Sequence, residues 1–333
     1  MTNIINTDVT VIGSGSWATA LVKLLSTNTS RICWYIHQDD ILKHLKKYHH
    51  NPRYLSAVNF NPDKLVLTND INKAVNSSDT LIFVTPSAFL KENIKGMTVD
   101  ISGKTICSAI KGIVPDENTI VGEFFHKEYN VPFQNIVIIT GPSHAEEVAM
   151  EKLTYLTIAS QDKNRSKLII SMLKNHFLRT IISDDIFGTE YSAVMKNIYA
   201  IAAGICVGLG FGDNFLAVLL SNAAMEMKKF IDAIHPGDRE MNSSPYLGDL
   251  LVTGYSQFSR NRMFGNMIGK GYSVNNALME MTMVAEGYYS ANCIHKLRSK
   301  MDLSIPIAET VYRILYENAA PSSEIHNLTK ILR

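Results

Sequence analysis

With 333 residues, 46% of them hydrophobic, the chain exceeds one typical domain and can bury a large core, so two domains are expected. A net charge of +1 gives no electrostatic bias toward nucleic acid or an anionic membrane, which leaves ligand specificity to local sites. Cys33, Cys107, Cys206 and Cys293 stand far apart, mostly in apolar runs and without a C-x-x-C pair. They read as reduced core residues, with no metal site. The segment Met1 to Asn6 lacks the basic start and the apolar stretch of a signal peptide, so the expected location is the cytoplasm.

In chain order, Val9 to Ile12 reads as a buried strand, Gly13-Ser14-Gly15 as a tight turn, and Ser16-Trp17-Ala18-Thr19-Ala20-Leu21 as the opening of a helix. Gly13 lets the chain reverse, Gly15 lets backbone approach a pyrophosphate, and the amides of the helix N-terminus attract the anion. The pattern is G-x-G-x-x-A, with Ala18 where a small residue is needed for helix and sheet to pack closely. A second strand, Arg31 to Ile36, follows at βαβ spacing, so a dinucleotide is the natural ligand. That strand runs into His37-Gln38, with no carboxylate placed to exclude a 2′-phosphate. His37 is therefore the candidate for NADP contact, and dual or NADP-leaning use is predicted.

Further strands are expected at Thr80 to Thr85, Thr105 to Ser108, Ile136 to Thr140, Tyr155 to Ala159 and Leu178 to Ser183, alternating with amphipathic segments. This is the signature of an α/β, Rossmann-like doubly wound parallel sheet. From Gly188 the period becomes 3.6, as in Tyr191/Val194/Met195/Ile198 and Ile307/Val311/Ile314/Leu315. The expected division is a dinucleotide-binding domain over 1–185 and an all-α domain over 186–333 that supplies the substrate groups. The apolar stretch from Asn197 to Met225 is not read as a membrane span, because Gly204, Gly208, Gly210 and Gly212 are expected to break it and neither half reaches about 20 apolar residues.

Four clusters stand out: Ala109-Ile110-Lys111-Gly112, Thr140-Gly141-Pro142-Ser143-His144-Ala145-Glu146-Glu147, Val194-Met195-Lys196-Asn197, and Gly248-Asp249-Leu250 leading through Thr253 to Ser259-Arg260-Asn261-Arg262. Lysine is a proton donor once burial and a second cation such as Lys111 lower its pKa, an effect Asp249 would oppose. Taken alone, Arg260 and Arg262 read as a solvated basic face, with Ser259 and Asn261 as neutral donors beside it.

In this order and spacing the motifs resemble the bacterial NAD(P)-dependent glycerol-3-phosphate dehydrogenases over nearly the whole chain. The likeness includes G-x-G-S-W-x-T-A-L, I-K-G, G-P-S-H-A-E-E, K-N with Ile201-Ala202-Ala203-Gly204, Gly208 to Gly212, L-G-D-L with S-R-N-R, and Val284-Ala285-Glu286-Gly287. Ala18 in place of a third glycine, Ser56 after Leu55, and Thr140 for a frequent serine depart from the pattern without removing a reacting group. The resemblance implies reversible reduction of dihydroxyacetone phosphate to sn-glycerol 3-phosphate for glycerophospholipid synthesis, with NAD(P)H as cofactor and a homodimeric assembly. It implies Lys196 as proton acceptor in the oxidative direction, with Lys111 and Asp249 completing the catalytic set. It assigns Gly13, Gly15, Ser16, Trp17, His37, Lys111, Ala145, Arg260, Val284 and Glu286 to the cofactor. Lys111, Gly141, Ser143, Lys196, Asp249, Thr253, Ser259, Arg260 and Asn261 go to the substrate. His144 is not taken as the base. A dehydrogenase of hydroxy acids or hydroxyacyl thioesters would need a carboxylate or CoA site instead, and a silent NAD(P) sensor would not need both lysines and Asp249.

Overall fold

The computed structural model describes residues 7–281 and 283–333. By its contacts the chain forms two compact units. The first runs to Ile110 and resumes over Val121–Ile186; the second comprises Lys111–Ile120 and Phe187–Arg333. The excursion at Lys111 is not signalled by the strand pattern.

The first unit is built on β1 (Val9–Ile12), β2 (Ile32–Tyr35), β3 (Leu65–Thr68), β4 (Thr80–Phe83) and β5 (Thr105–Ser108). The second unit's short hairpin supplies β6 (Ile113–Val114) and β7 (Thr119–Ile120), after which the first unit adds β8 (Ile136–Thr140), β9 (Thr154–Ala159) and β10 (Leu178–Ser183). The eight-stranded sheet has the order β10-β9-β8-β5-β4-β1-β2-β3. β1, β2, β4, β5 and β8 are buried along their whole length, which explains their continuous apolar runs. The chain travels from β1 to β2 and β3 on one side, then crosses to β4 on the other. The resulting switch point opens at the carboxyl ends of β1 and β4, where doubly wound sheets bind ligands.

Two expectations about the sheet need correction. β3 is an additional edge strand, half-buried, whose four-residue run follows the charged turn Pro62-Asp63-Lys64. The sheet is also not wholly parallel: β8 and β9 pair antiparallel, with Thr140 opposite Thr157. Between them lies only the five-residue helix Ala145–Ala149. The helix spans about 7.5 Å, about half the length of the strand of about 16 Å beside it.

The second unit is helical apart from the β6–β7 hairpin, whose Ile113 and Ile120 are fully buried in its core. Its central helix, Ile186–Gly208, runs 23 residues without interruption, and a second long helix covers Asp213–Ile234. The expected break at Gly204 is therefore corrected. This helix is long and apolar enough to cross a bilayer, but 89% of its most apolar window is buried inside the fold, which marks it as a core helix. Gly204 serves close approach instead: a Cβ there would overlap the carbonyl oxygen of Arg262, and one on Gly265 would overlap that of Ile201. Gly204/Gly208 and Gly265/Gly269, each four residues apart, let the backbones of Ile186–Gly208 and Arg260–Gly269 touch. That contact fixes the start of the second helix relative to Lys196 and Asn197 on the first.

Candidate functional site

In the first unit the turn after β1 has the geometry of a phosphate cradle. Gly13 has φ +133°, and a Cβ there would lie 2.5 Å from the carbonyl oxygen of Val84 beyond β4. Its own carbonyl accepts a 2.6 Å hydrogen bond from Nε1 of the fully buried Trp34. Gly15 precedes the helix Ser16–Leu25 with no side-chain cap, and apart from its chain neighbours no atom lies within 4 Å of the position its Cβ would occupy. A pyrophosphate fits such a site: an uncapped helix N-terminus, glycine backbone and free space together. Ser16 is buried in the first helical turn, and Trp17 packs half-buried against the core with Nε1 lacking a hydrogen-bond partner among the described residues. His37 is exposed just past β2, its Nδ1 3.5 Å from the Tyr35 hydroxyl. Gly141, at φ +108°, turns the chain after β8, and the Ser143 hydroxyl donates to its carbonyl at 3.0 Å. Ala145 is buried at the start of the following helix, with His144 at its N-cap.

Two scaffolding residues escaped the sequence reading. Asn51, fully buried, donates from Nδ2 to the Ser14 carbonyl at 2.9 Å and to the Thr19 hydroxyl at 3.0 Å, while its Oδ1 accepts from the amides of Arg53 and Tyr54. It thus ties a distant loop to the glycine turn. Gln38 accepts from the Ser14 hydroxyl at 2.5 Å. No local pattern announces their tie to the glycine turn, since Asn51 and Gln38 reach Ser14 across 37 and 24 residues.

In the second unit Lys196, Asp249, Lys111 and Thr253 come together. Lys196, on the central helix, is 4% exposed. Its Nζ lies 2.5 Å from Oδ1 of Asp249 and donates to the Thr253 hydroxyl at 3.1 Å. The Thr253 hydroxyl donates in turn to the Asp249 carbonyl at 2.6 Å. Lys111 Nζ approaches the other carboxylate oxygen of Asp249 at 3.5 Å, and Asn197 Nδ2 holds the Lys111 carbonyl at 2.7 Å. Asp249 opens the helix Asp249–Tyr255 directly after a π-helical turn, Ser244–Gly248, a local widening common at functional sites. Burial lowers the Lys196 pKa to about 7; Asp249 opposes the shift and the Lys111 charge adds to it. A buried amine that exchanges its proton near neutrality is suited to general acid–base chemistry.

Arg260, half-buried, is the first residue of Arg260–Gly269. Ser259 caps that helix, accepting from the Arg262 amide at 3.3 Å. The Asn261 Oδ1 accepts from the Gly287 amide at 2.9 Å, and a Cβ on Gly287 would lie 2.5 Å from the Asn197 carbonyl. Asn261 therefore ties the helix Glu286–Arg298 to Arg260–Gly269, and Gly287 lets it lie against the Lys196 helix. Glu286 opens the helix Glu286–Arg298, and Val284 lies two residues before it.

Residues 8–166 match the family described as NAD-dependent glycerol-3-phosphate dehydrogenase N-terminus, and residues 185–326 its C-terminal counterpart. The chain is 33% identical over 327 residues to the glycerol-3-phosphate dehydrogenase [NAD(P)+] of Lactobacillus johnsonii, covering 96% of each protein. It is 32% identical over 322 residues to the Bacillus subtilis protein of the same name, covering 96% of this chain and 93% of the relative. Among solved structures, the glycerol-3-phosphate dehydrogenase of Coxiella burnetii superposes with a TM-score of 0.90 at 28% identity, covering 97% and 99% of the two chains.

Proposed function

The chain belongs to the NAD-dependent glycerol-3-phosphate dehydrogenase family, and from that premise we propose that Lys196 exchanges the proton as dihydroxyacetone phosphate and sn-glycerol 3-phosphate interconvert. The observation that carries this reading is the buried amine, with its pKa near 7, held between Asp249 and Thr253.

NAD(P)H, when bound, supplies the hydride to the substrate carbonyl. Residues of the Gly13–Gly15 turn and of the helix opened by Ser16 and Trp17 would hold its pyrophosphate, with His37 toward the ribose. In reduction, Lys196 as an ammonium donates its proton to the developing alkoxide; in oxidation, the neutral amine takes the alcohol proton back. Positioned proton transfer of this kind contributes about 10²–10⁴-fold. Asp249 and Thr253 fix the direction of the amine, and Asn197 anchors the backbone that carries Lys111. Lys111 brings a second positive charge to the same carboxylate and would stabilise negative charge growing on the substrate oxygen.

Arg260 is assigned to the substrate phosphate, as a planar fork at a helix N-terminus. Ser259, Asn261, Gly141 and Ser143 are assigned to the substrate, and Ala145, Val284 and Glu286 to the cofactor, on the family pattern. The product would feed glycerophospholipid synthesis in the cytoplasm, and the proposed assembly is a homodimer, measurable by light scattering.

The decisive test follows NADH and NADPH oxidation with dihydroxyacetone phosphate for the wild type and Lys196→Ala. We expect turnover by the wild type, its loss in the variant, and unchanged cofactor binding in both. A folded Lys196→Ala enzyme with undiminished kcat would remove the lysine from the chemistry.

A further inference from the structure

Away from the lysine cluster, the first unit sets two histidines edge to face, ring centroids 4.7 Å apart. His44 lies on the helix Asp39–Tyr48, which ends at His49 in a left-handed conformation, φ 62°. That reversal returns His50 toward the helix, so that the two Nε2 atoms stand 3.4 Å apart with the rings 79° from coplanar. The backbone there is pinned: the Phe60 amide donates to the His49 carbonyl at 2.8 Å, and His50 bridges Asn59. Tyr48 packs its ring against His44, with centroids 4.6 Å apart.

We propose that His44 and His50 form a two-histidine site for Zn²⁺, completed by water. A nitrogen separation of 3.4 Å is long for a hydrogen bond between imidazoles. It matches the bite of a tetrahedral zinc ion, whose Zn–N bonds of about 2.0–2.1 Å place two ligand nitrogens about 3.3 to 3.4 Å apart. Square-planar or octahedral ions need adjacent nitrogens closer, at about 2.8 to 3.0 Å, so the spacing favours zinc over copper(II) or nickel(II). His50 Nδ1 faces the Asn51 carbonyl at 3.4 Å, an orientation that leaves its Nε2 turned toward His44.

The ligand count stops at two. Among the described residues no group of three or more His, Cys, Asp and Glu is placed to hold an ion, and Asp40, one helical turn before His44, is engaged by Arg53 at 2.6 Å. With Lys43, Lys46 and Lys47 on the same helix, the affinity is expected to be about micromolar rather than that of a closed structural site. The placement matters because the residue after His50 is Asn51, which holds the Ser14 carbonyl and the Thr19 hydroxyl of the glycine turn. An ion clamping His50 to the helix stiffens that anchor, so the metal is expected to tighten dinucleotide binding.

The test uses the full chain without a histidine tag, titrated with Zn²⁺ against a chromophoric chelator, with Co²⁺ as a spectroscopic probe. One equivalent should bind, with the intense visible absorption of tetrahedral cobalt, and His44→Ala and His50→Ala should each weaken binding at least about tenfold. His176→Ala, at an exposed histidine elsewhere, should leave it unchanged. His44→Asn serves as a second variant, with thermal melts confirming that each protein is folded. No stoichiometric zinc binding by the wild type, weak octahedral cobalt bands, or binding retained in both alanine variants would overturn the site. An NADH dissociation constant unmoved by saturating zinc would overturn the link to Asn51.

Discussion

Replacing Asp249 by Asn tests how the lysine is tuned. In the wild type, burial lowers the Lys196 pKa to about 7 against the opposing charge of Asp249. Asparagine keeps the shape and removes that charge, leaving burial and Lys111 both acting against the ammonium form. An opposite charge within hydrogen-bond reach raises a lysine pKa by about 1–3 units, so its loss moves Lys196 to about 4–6. At about pH 7.5 roughly a quarter of the wild-type amine is protonated, against about 0.3% for a two-unit shift, a loss of about 75-fold in reduction from protonation alone. The assay is kcat/KM for dihydroxyacetone phosphate across the pH range, followed through NADH absorbance. Reduction requires the ammonium, so the wild-type profile should fall above about pH 7 and that limb should move acidward in Asp249→Asn. Oxidation requires the neutral amine and should show the mirror image, its acidic limb moving the same way. A limb that stays near 7, or moves toward alkaline pH, would refute the assignment of Asp249 as the group that holds Lys196 charged.

Three further predictions follow from packing and burial. Gly204→Ala places a methyl group on the Arg262 carbonyl and should cost about 2–4 kcal/mol; a melting temperature equal to wild type would show that the two helices can separate without penalty. Asn51→Ala removes two donated and two accepted hydrogen bonds beneath the glycine turn. It should raise the NADH dissociation constant more than the KM for dihydroxyacetone phosphate, and equal effects on both would reduce Asn51 to a general stabiliser. Glu226 is almost fully buried, accepting from the Ile307 and Ala308 amides at 2.8 and 2.9 Å, and burial raises its pKa to about 7. Because the folded-state value lies above the unfolded one, its contribution is fully present below about pH 4.5 and is lost as pH rises toward 7, amounting to about 3 kcal/mol; Glu226→Gln should flatten that part of the stability curve, and an unaltered slope would contradict it.

The central strands were legible because burial on both faces leaves uninterrupted apolar runs, as in Val9 to Ile12 and Ile136 to Thr140. β3 was not, since Leu65-Val66-Leu67-Thr68 is short, half-exposed and preceded by turn residues. The antiparallel direction of β9 is a matter of how the chain returns between Thr140 and Thr154, which strand composition does not encode. Gly204 illustrates an ambiguity of another kind: glycine in an apolar run serves a break or a close contact, and only the partner helix decides. At the candidate site, Lys196 and Asp249 were singled out through family resemblance, while their 2.5 Å pairing depends on folding across an interval of 53 residues. Asn51 carried no signal, because an Asn before Pro reads as a turn and its four hydrogen bonds are long-range or specific to the folded loop.

The hairpin from Lys111 to Ile120 has a bearing on inheritance. Cutting the gene at the obvious place, after Ile186, would yield a carboxyl-terminal piece missing Ile113 and Ile120 from its core and Lys111 from its amine pair. Such a piece would be incomplete in both packing and charge. The helical half therefore cannot travel as a cassette between proteins: any recombination that preserves the chemistry must carry the hairpin along from the middle of the other half.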